Sequence, residues 1–300
     1  MLSLRGDMEQ IASLGEYSAR TTPFENLTEF NLLLDQSFIS PHLIQSSLQL
    51  VPFFHSLPPS LQLLKITSLC YVLDFSSLFD TLSQSACYPK LTSLELQFNF
   101  YESFQNSCQA IHRFLLTYNN NLQNLVIGVF AMGTEDGEHL GGWLATLATN
   151  EFQFSSLQKL DINPSGSETG LSAVLVLIKR TAPTLSSLRI GSRSLTFEQV
   201  KQVVDALTED GAQFEATTTK LKSLVIKINQ LSVPFLDLLA RKLPRLEELM
   251  LTTDYIQVCC LISLAELFLL LIGFISRSPP TPTVRSQRLC SRPLAYVEVA

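Results

Sequence analysis

The sequence predicts an α/β solenoid in which short parallel strands form a concave sheet and helices cover the convex side. Three observations support this prediction. A leucine-rich hexad recurs along the chain, helix-like segments separate the copies, and successive copies begin 25 to 36 residues apart. One strand with its helix cannot bury its own apolar face. Neighbouring units must therefore stack and share a continuous core, which makes the array the stable structure.

The hexad has the form Leu-x-x-Leu-x-Leu or Leu-x-x-Leu-x-Ile, with phenylalanine at the fourth position of the first copy. Its alternation predicts a short strand. In the copy at Leu185–Ile190, Leu188 and Ile190 project to one face, whereas Ser187 and Arg189 project to the other. The eight copies begin at Leu27, Leu61, Leu91, Leu122, Leu157, Leu185, Leu221 and Leu246.

The segments between the hexads predict helices, because apolar residues recur there at three- and four-residue spacing. Thr196 and Gln199 have the spacing of a capping box at the start of one of them. Pro183 and Pro244 each follow a helical pattern and precede a hexad by two residues, so each is expected to end its helix. The clearest helical patterns cover Phe104–Tyr118, Leu171–Ile178, Val200–Leu207 and Phe235–Leu243.

One copy of the hexad extends to a longer signature. Leu221–Leu231 reads Leu-x-x-Leu-x-Ile-x-x-Asn-x-Leu, which matches the leucine-rich-repeat consensus. With its long helices, variable repeat lengths and proline joints, the region 24–256 resembles the leucine-rich-repeat region of fungal F-box proteins. The resemblance implies an α/β leucine-rich-repeat horseshoe of about eight repeats. It also implies a role as the substrate-recognition part of a ubiquitin-ligase receptor.

The F-box itself is not found in this sequence. In the F-box family this N-terminal segment docks an adaptor of a cullin ubiquitin ligase. Residues 1–23 contain no Leu-Pro-x-Glu start and are expected to be a lead-in to the repeats. A cullin adaptor is therefore an expected partner only if an F-box lies upstream.

The C-terminal part departs from the repeat pattern. Residues 257–275 are almost entirely apolar and are expected to form a terminal helix that closes the array. The alternative is a membrane anchor, which would make this a membrane-attached repeat protein. Glu266 opposes that alternative, because it places a charge near the middle of the span. Residues 276–300 are rich in proline, serine and arginine and are expected to be disordered.

Composition narrows the range of functions. The net charge of −6 argues against binding to nucleic acid, which requires a basic surface. The six cysteines contain no Cys-x-x-Cys pair, and the N-terminus lacks the apolar core of a signal peptide. Reduced thiols and a cytoplasmic or nuclear location are therefore expected.

No catalytic residue, cofactor or metal ion is expected. The sequence lacks the glycine-rich phosphate loops and the Gly-x-Ser-x-Gly elbow. An acidic cluster is formed by Glu135, Asp136, Glu138 and His139. Carboxylate and imidazole groups can bind a metal ion, so one interpretation of this cluster is a metal site. A helix N-terminus is the favoured interpretation, because carboxylates are stabilised near the positive end of the helix dipole. The chain is thus predicted to be a non-enzymatic, protein-binding scaffold.

The surface expected to bind a protein is the concave face, where residues between the core leucines are exposed. An extended partner could contact several repeats there. Lys159, Arg189 and Lys227 give the centre of this face a basic character, which favours an acidic or polar protein segment. The alternative for each residue is a solvated strand position without a partner. The expected binding residues are Lys159, Asp161, Asn163, Ser187, Arg189, Val225 and Lys227.

Overall fold

The computed structural model divides the chain into two compact units, unit 1 (Met1–Val174) and unit 2 (Leu175–Ala300). Each unit is built from strands and helices that alternate along the chain. The structure describes residues 1–7, 10–14, 24–34, 45–68, 73–85, 87–100, 102–131, 134–149, 151–164, 167–208, 219–256 and 295–299.

Unit 1 contains a sheet of parallel strands with a helix after most of them. Its elements in chain order are β1 (Leu2–Gly6), helical residues 10–14 (α1), β2 (Glu29–Leu34), β3 (Gln45–Ser46), a 3-10 turn (Ser47–Leu50), α2 (Val51–Ser56), β4 (Leu63–Ser68), β5 (Leu73–Asp74), α3 (Ser76–Ser85), β6 (Ser93–Phe100), α4 (Glu102–Tyr118), β7 (Asn124–Ala131), α5 (Thr134–Leu147), β8 (Lys159–Ile162) and the first half of α6 (Glu168–Thr181). Strands β1, β2, β4, β6, β7 and β8 pair in parallel in that order, and β3 pairs with β5.

Unit 2 repeats the same strand–helix alternation. After the second half of α6 it contains β9 (Ser187–Leu195), α7 (Phe197–Thr208), β10 (Ser223–Leu231), α8 (Val233–Lys242), β11 (Glu248–Ile256) and β12 (Ala295–Val299). Strands β9, β10 and β11 pair in parallel, and β12 pairs with β11 in the antiparallel direction.

All eight predicted strands form, and each begins two residues after the first leucine of its hexad. The first leucine ends the preceding turn and packs into the core. From Leu61 onward, every one of these leading leucines is buried. The predicted α/β leucine-rich-repeat class is therefore confirmed by the repeated strand, its parallel pairing and its helix.

Successive repeats are joined by a shared backbone acceptor. The carbonyl of Thr28 accepts hydrogen bonds from the N–H groups of Gln62, at 2.8 Å, and Leu63, at 3.0 Å. Thr28 is the second residue of its hexad. These two bonds therefore align the start of β4 with the hexad of the preceding repeat. The same double acceptance recurs at the carbonyls of Gln62, Thr92, Gln123, Ser186 and Lys222.

The core of unit 1 lies between the sheet and the helices. Phe79 of α3 packs against Phe114 of α4, with ring centroids 5.2 Å apart, and against Phe98 of β6, at 6.5 Å. Phe75 lies 4.7 Å from Phe98 and closes the cluster. All four rings are buried. The face of β6 that bears Phe98 therefore points toward the helices, and the opposite face is left outside the core.

Two buried tyrosines connect neighbouring repeats of unit 1. The hydroxyl of Tyr88 donates to the carbonyl of Phe54 at 2.7 Å, and its backbone N–H donates to the hydroxyl of Tyr118 at 3.2 Å. Burial raises the pKa of Tyr88 well above its usual value, and it also raises the pKa of Tyr118. Both phenols therefore stay protonated at neutral pH and serve as hydrogen-bonding groups of the core.

The helix boundaries follow the predicted signals. The N–H of Thr196 donates to Oε1 of Gln199 at 3.0 Å, and the N–H of Gln199 donates to Oγ1 of Thr196 at 3.3 Å. This reciprocal pair is the predicted capping box at the start of α7. Helices α6 and α8 end at Thr181 and Lys242, each two residues before its proline. The predicted proline stops are therefore confirmed.

The start of the lead-in predicted over residues 1–23 forms a strand. Strand β1 pairs in parallel with β2, with Leu4 opposite Leu32. Residues 2–6 thus add a strand to the sheet ahead of the first hexad. The strand covers the edge of β2, whose backbone groups would otherwise lack partners. Its Leu-Ser-Leu alternation is too short to complete a hexad, which is why the repeat pattern did not reveal it.

The tail predicted to be disordered over residues 276–300 contains strand β12. Its register with β11 runs from Leu249 opposite Val299 to Thr253 opposite Ala295. Pairing with β12 satisfies backbone groups along the open edge of β11. The apolar segment 257–275 lies outside the described residues. Among the helices that the structure describes, none is both long enough and apolar enough to cross a membrane.

Two adjacent glycines of α5 have opposite surroundings. A Cβ atom added at Gly141 would lie 2.5 Å from Oγ of Ser167 and 2.8 Å from the backbone nitrogen of Gly170, at the start of α6. A Cβ atom added at Gly142 would meet nothing within 4 Å. Gly141 therefore permits a close approach of α5 to this segment, and Gly142 faces open space.

This contrast gives a matched prediction for the free energy of unfolding. Gly141→Ala is expected to lower it by about 1–3 kcal/mol, because the added methyl overlaps backbone atoms that cannot easily move. Gly142→Ala is expected to raise it by up to about 1 kcal/mol through better helix propensity. Urea denaturation of both variants measures the difference. Equal effects at the two positions would contradict the described packing.

Candidate protein-binding surface on the strands of unit 2

The strands of unit 2 present one buried and one accessible face. Leu188 and Ile190 of β9 are buried, whereas Ser187 and Arg189 between them are not. The parallel register places the equivalent residues of β10 and β11 side by side. We call the accessible set the unit 2 strand face. It comprises Ser187, Arg189, Gly191, Ser223, Val225, Lys227, Glu248, Met250 and Thr252.

The centre of this face combines apolar and cationic side chains. Arg189 is opposite Val225, which is in turn opposite Met250. Arg189 is exposed, and the two apolar side chains are partly accessible. Lys227 lies two residues beyond Val225 on the same side of β10. Glu248, at the beginning of β11, contributes an exposed carboxylate to the unit 2 strand face.

A bulge in β9 alters the end of the face. Between Ile226 and Ile228 of β10, the partner on β9 moves from Ile190 to Leu195. Residues 191–194 of β9 therefore lie opposite Lys227 alone. Such bulges change the direction of side chains and occur near binding sites.

The bulge brings one residue to the surface that the sequence did not assign to it. Arg193 lies in the bulge and is partly accessible. In the copy that begins at Leu185, Arg193 occupies the position at which the consensus has asparagine. A long cationic side chain at that position is the sequence signal that could have assigned Arg193 to the surface. The register thus places Arg193 in the bulge of β9, next to the part of β10 that contains Lys227.

Three predicted binding residues belong to unit 1, and two of them lie on the accessible side of a strand. Lys159 and Asp161 lie on β8, where Lys159 is exposed and Asp161 is half-buried opposite Val126. On the same sheet, Lys65 forms an ion pair with Glu95 at 2.7 Å. Charges of both signs alternate across this accessible face. These described charges are therefore close to balanced.

The placement of Asn163 on the binding surface is corrected. Asn163 is only 7% exposed, and its Nδ2 donates to the carbonyl of Val129 at 2.9 Å. It thereby satisfies a backbone group near the end of β7, which is the role that the consensus assigns to asparagine. Asn229, which occupies the consensus position in β10, is exposed. Asn163 is thus a structural residue of unit 1.

The acidic cluster lies at a helix start, as the favoured interpretation predicted. Helix α5 begins at Thr134, so Glu135 and Asp136 fall in its first turn. The carboxylate of Glu138 accepts a hydrogen bond from the hydroxyl of Thr169 at 3.2 Å. Within the described part of the chain, no group of three or more histidine, cysteine or carboxylate side chains is arranged to hold a metal ion.

The recurring parallel strands and their helices define an α/β leucine-rich-repeat protein. No protein-family model matches the sequence, and no curated protein matches it. Among solved structures, the chain is similar to the leucine-rich repeat-containing protein LegL7 from Legionella pneumophila. The TM-score is 0.43 at 17% sequence identity, and the match covers 93% of this chain and 82% of that chain.

Proposed function

We propose that the chain is a non-enzymatic scaffold that binds a protein partner through the unit 2 strand face. The main observation in support is the combination of Arg189, Arg193 and Lys227 with the apolar pair Val225 and Met250. Parallel strands lie about 4.8 Å apart, so an extended segment laid across them meets a new side chain at each strand. A repeat sheet is suited to contacts of this kind.

The partner segment that fits this face is acidic and contains at least one apolar side chain. Its carboxylates would pair with Arg189 and Lys227, while its apolar residue would cover Val225 and Met250. Arginine is well suited to the first task, because its planar guanidinium can bind a carboxylate through two hydrogen bonds. Charge complementarity would determine selectivity and association rate, and apolar contact would slow dissociation.

We expect Arg189→Glu to weaken binding of such a segment at least about tenfold, which corresponds to about 1.4 kcal/mol. The probe is a set of peptides selected from a random phage-displayed library on the full chain, with affinity measured by fluorescence anisotropy. Lys201→Glu on α7 is the matched control, because Lys201 is exposed and the substitution also replaces a cation with a carboxylate. Circular dichroism checks that each variant keeps its fold.

The selection itself can also contradict the proposal. Support requires that the recovered peptides are rich in aspartate and glutamate and that added salt weakens their binding. Peptides without acidic residues, or peptides that bind Arg189→Glu as tightly as the unchanged chain, would exclude this face as an acidic-segment site.

The resemblance to F-box proteins gives the proposal a narrower form. In that form, the bound protein is a substrate that the repeats deliver to a cullin ubiquitin ligase. Co-precipitation of a cullin adaptor with the expressed chain tests it. Recovery of the adaptor would support the receptor role, and its absence would limit the proposal to protein binding.

A further inference from the structure

Helices α4 and α5 of unit 1 are separated by an open groove of about 460 Å³. It lies on the helical side of the unit, away from the accessible strand face. Side chains at three- and four-residue spacing on both helices line it. Those used below are Gln109, His112 and Arg113 of α4, and His139, Gly142 and Trp143 of α5.

The groove exists because α5 packs closely on one side and lacks a side chain on the other. At Gly141 the helix is in tight contact with Ser167 and Gly170. At Gly142, which lines the groove, no atom would meet an added Cβ within 4 Å. The missing side chain at Gly142 leaves space beside α5 unfilled, and α5 is in close contact with the start of α6 through Gly141.

The floor of the groove is a fixed aromatic surface. Trp143 is only 6% exposed, and its indole N–H donates to the backbone carbonyl of Cys108 at 3.1 Å. This bond satisfies the donor of the indole and holds the ring against α4. Burial raises the pKa of the Cys108 thiol to about 12, so the thiol beside the indole is neutral. The floor is therefore apolar and rigid.

The walls of the groove carry one guanidinium and two imidazole side chains. Among the described residues that line it, His112, Arg113 and His139 have basic side chains, and none is a carboxylate. Arg113 is held by Asp80 of α3, with Nε 2.9 Å from Oδ1. A guanidinium has five N–H donors, so Arg113 keeps donors beyond the two that Asp80 accepts.

The position of His112 is also defined by its neighbours. Its Nδ1 lies 3.2 Å from the hydroxyl of Thr146, and its Nε2 lies 3.4 Å from a carboxylate oxygen of Glu151. Its ring stands edge-on to Phe152, with centroids 4.8 Å apart. The imidazole therefore forms a wall of fixed shape at one side of the groove.

We propose that this groove binds a small organic anion with a flat apolar body. The flat body would lie against Trp143 in the space that Gly142 leaves open. The anionic group would face Arg113 and His139, with Gln109 as a further hydrogen-bond donor. The volume falls within the range of about 300–1,000 Å³ that is typical of small-molecule sites. Aromatic stacking and a charge-assisted hydrogen bond would contribute together to binding.

Trp143 is the single tryptophan of the chain, so its fluorescence reports on the groove directly. The probe is 1-anilinonaphthalene-8-sulfonate, a flat aromatic anion, titrated onto the full chain. We expect saturable quenching of Trp143 and energy transfer to one bound dye. The flat cationic dye thioflavin T is the charge control and is expected to bind at least tenfold more weakly.

Two variants test the location. Gly142→Leu fills the groove and is expected to weaken dye binding at least tenfold. His139→Glu places a carboxylate at an exposed position of the wall and is expected to weaken dye binding about tenfold. If Gly142→Leu does not fold, His139→Glu by itself tests the location of the site. Unchanged dye affinity in folded His139→Glu, or equal affinity for the two dyes, would overturn the proposal.

Discussion

Replacing Phe79 with alanine is expected to lower the free energy of unfolding of unit 1 by about 3–5 kcal/mol. The ring is fully buried and contacts the aromatic rings of Phe98 in β6, Phe114 in α4 and Phe75, which immediately precedes α3. Two costs combine. The transfer free energy of the ring is lost, and the remaining rings cannot close the cavity because separate backbone elements hold them. Aromatic pairs also contribute about 0.5–1.5 kcal/mol beyond the area they bury.

Trp143 lies in unit 1 and is the natural probe for this measurement. Urea denaturation followed by its fluorescence gives the stability of the unit that contains Phe79. Leu14→Ala is the control within the same unit, since the apolar side chain of Leu14 is 45% exposed. Its effect is expected to stay within about 0.5–1 kcal/mol. A loss below 1 kcal/mol in Phe79→Ala would show that the aromatic cluster is not packed as described.

Replacing Leu188 with alanine is expected to destabilise unit 2 by about 2–5 kcal/mol. Leu188 is fully buried in β9 and is opposite Leu224 of β10, which is also fully buried. Shortening the side chain leaves a cavity beneath the sheet. The parallel backbone bonds on both sides of β10 restrict the movement that could fill it.

Arg189→Ala is the neighbouring control for Leu188→Ala. The two residues are adjacent in one strand but face opposite sides of the sheet. Arg189→Ala is expected to change stability by about 0.5 kcal/mol or less, because the side chain is exposed. Hydrogen exchange of peptides from β9 and β10 measures the effect within unit 2. Similar destabilisation by both variants would contradict the assigned faces.

The repeat pattern predicted the core well because burial in a repeat protein depends on local spacing. The hexad Leu-x-x-Leu-x-Ile defines the strand, its direction of burial and the turn before it within six residues. Pro183 and Pro244 mark helix ends through the geometry of a single residue. Features of this kind need no knowledge of the rest of the chain.

Other features depended on partners that are distant in sequence. Asn163 is polar and follows a strand, so spacing alone placed it on the surface. Its burial depends on the carbonyl of Val129, 34 residues earlier. Strand β12 depends on the open edge of β11, since residues 295–299 have little pattern of their own. Arg193 joined the candidate surface only through a bulge against Lys227.

The sequence by itself determined the repeat class, the eight strands and the division of each strand into core and accessible residues. These properties follow from the two-residue period of a strand and from the need of each repeat to bury one face. The tertiary structure alone decided which accessible residues share a surface and where the chain leaves space. The groove beside Gly142 shows the physical reason. Two adjacent glycines are chemically identical, and only the atoms packed around them make one a tight contact and the other an opening.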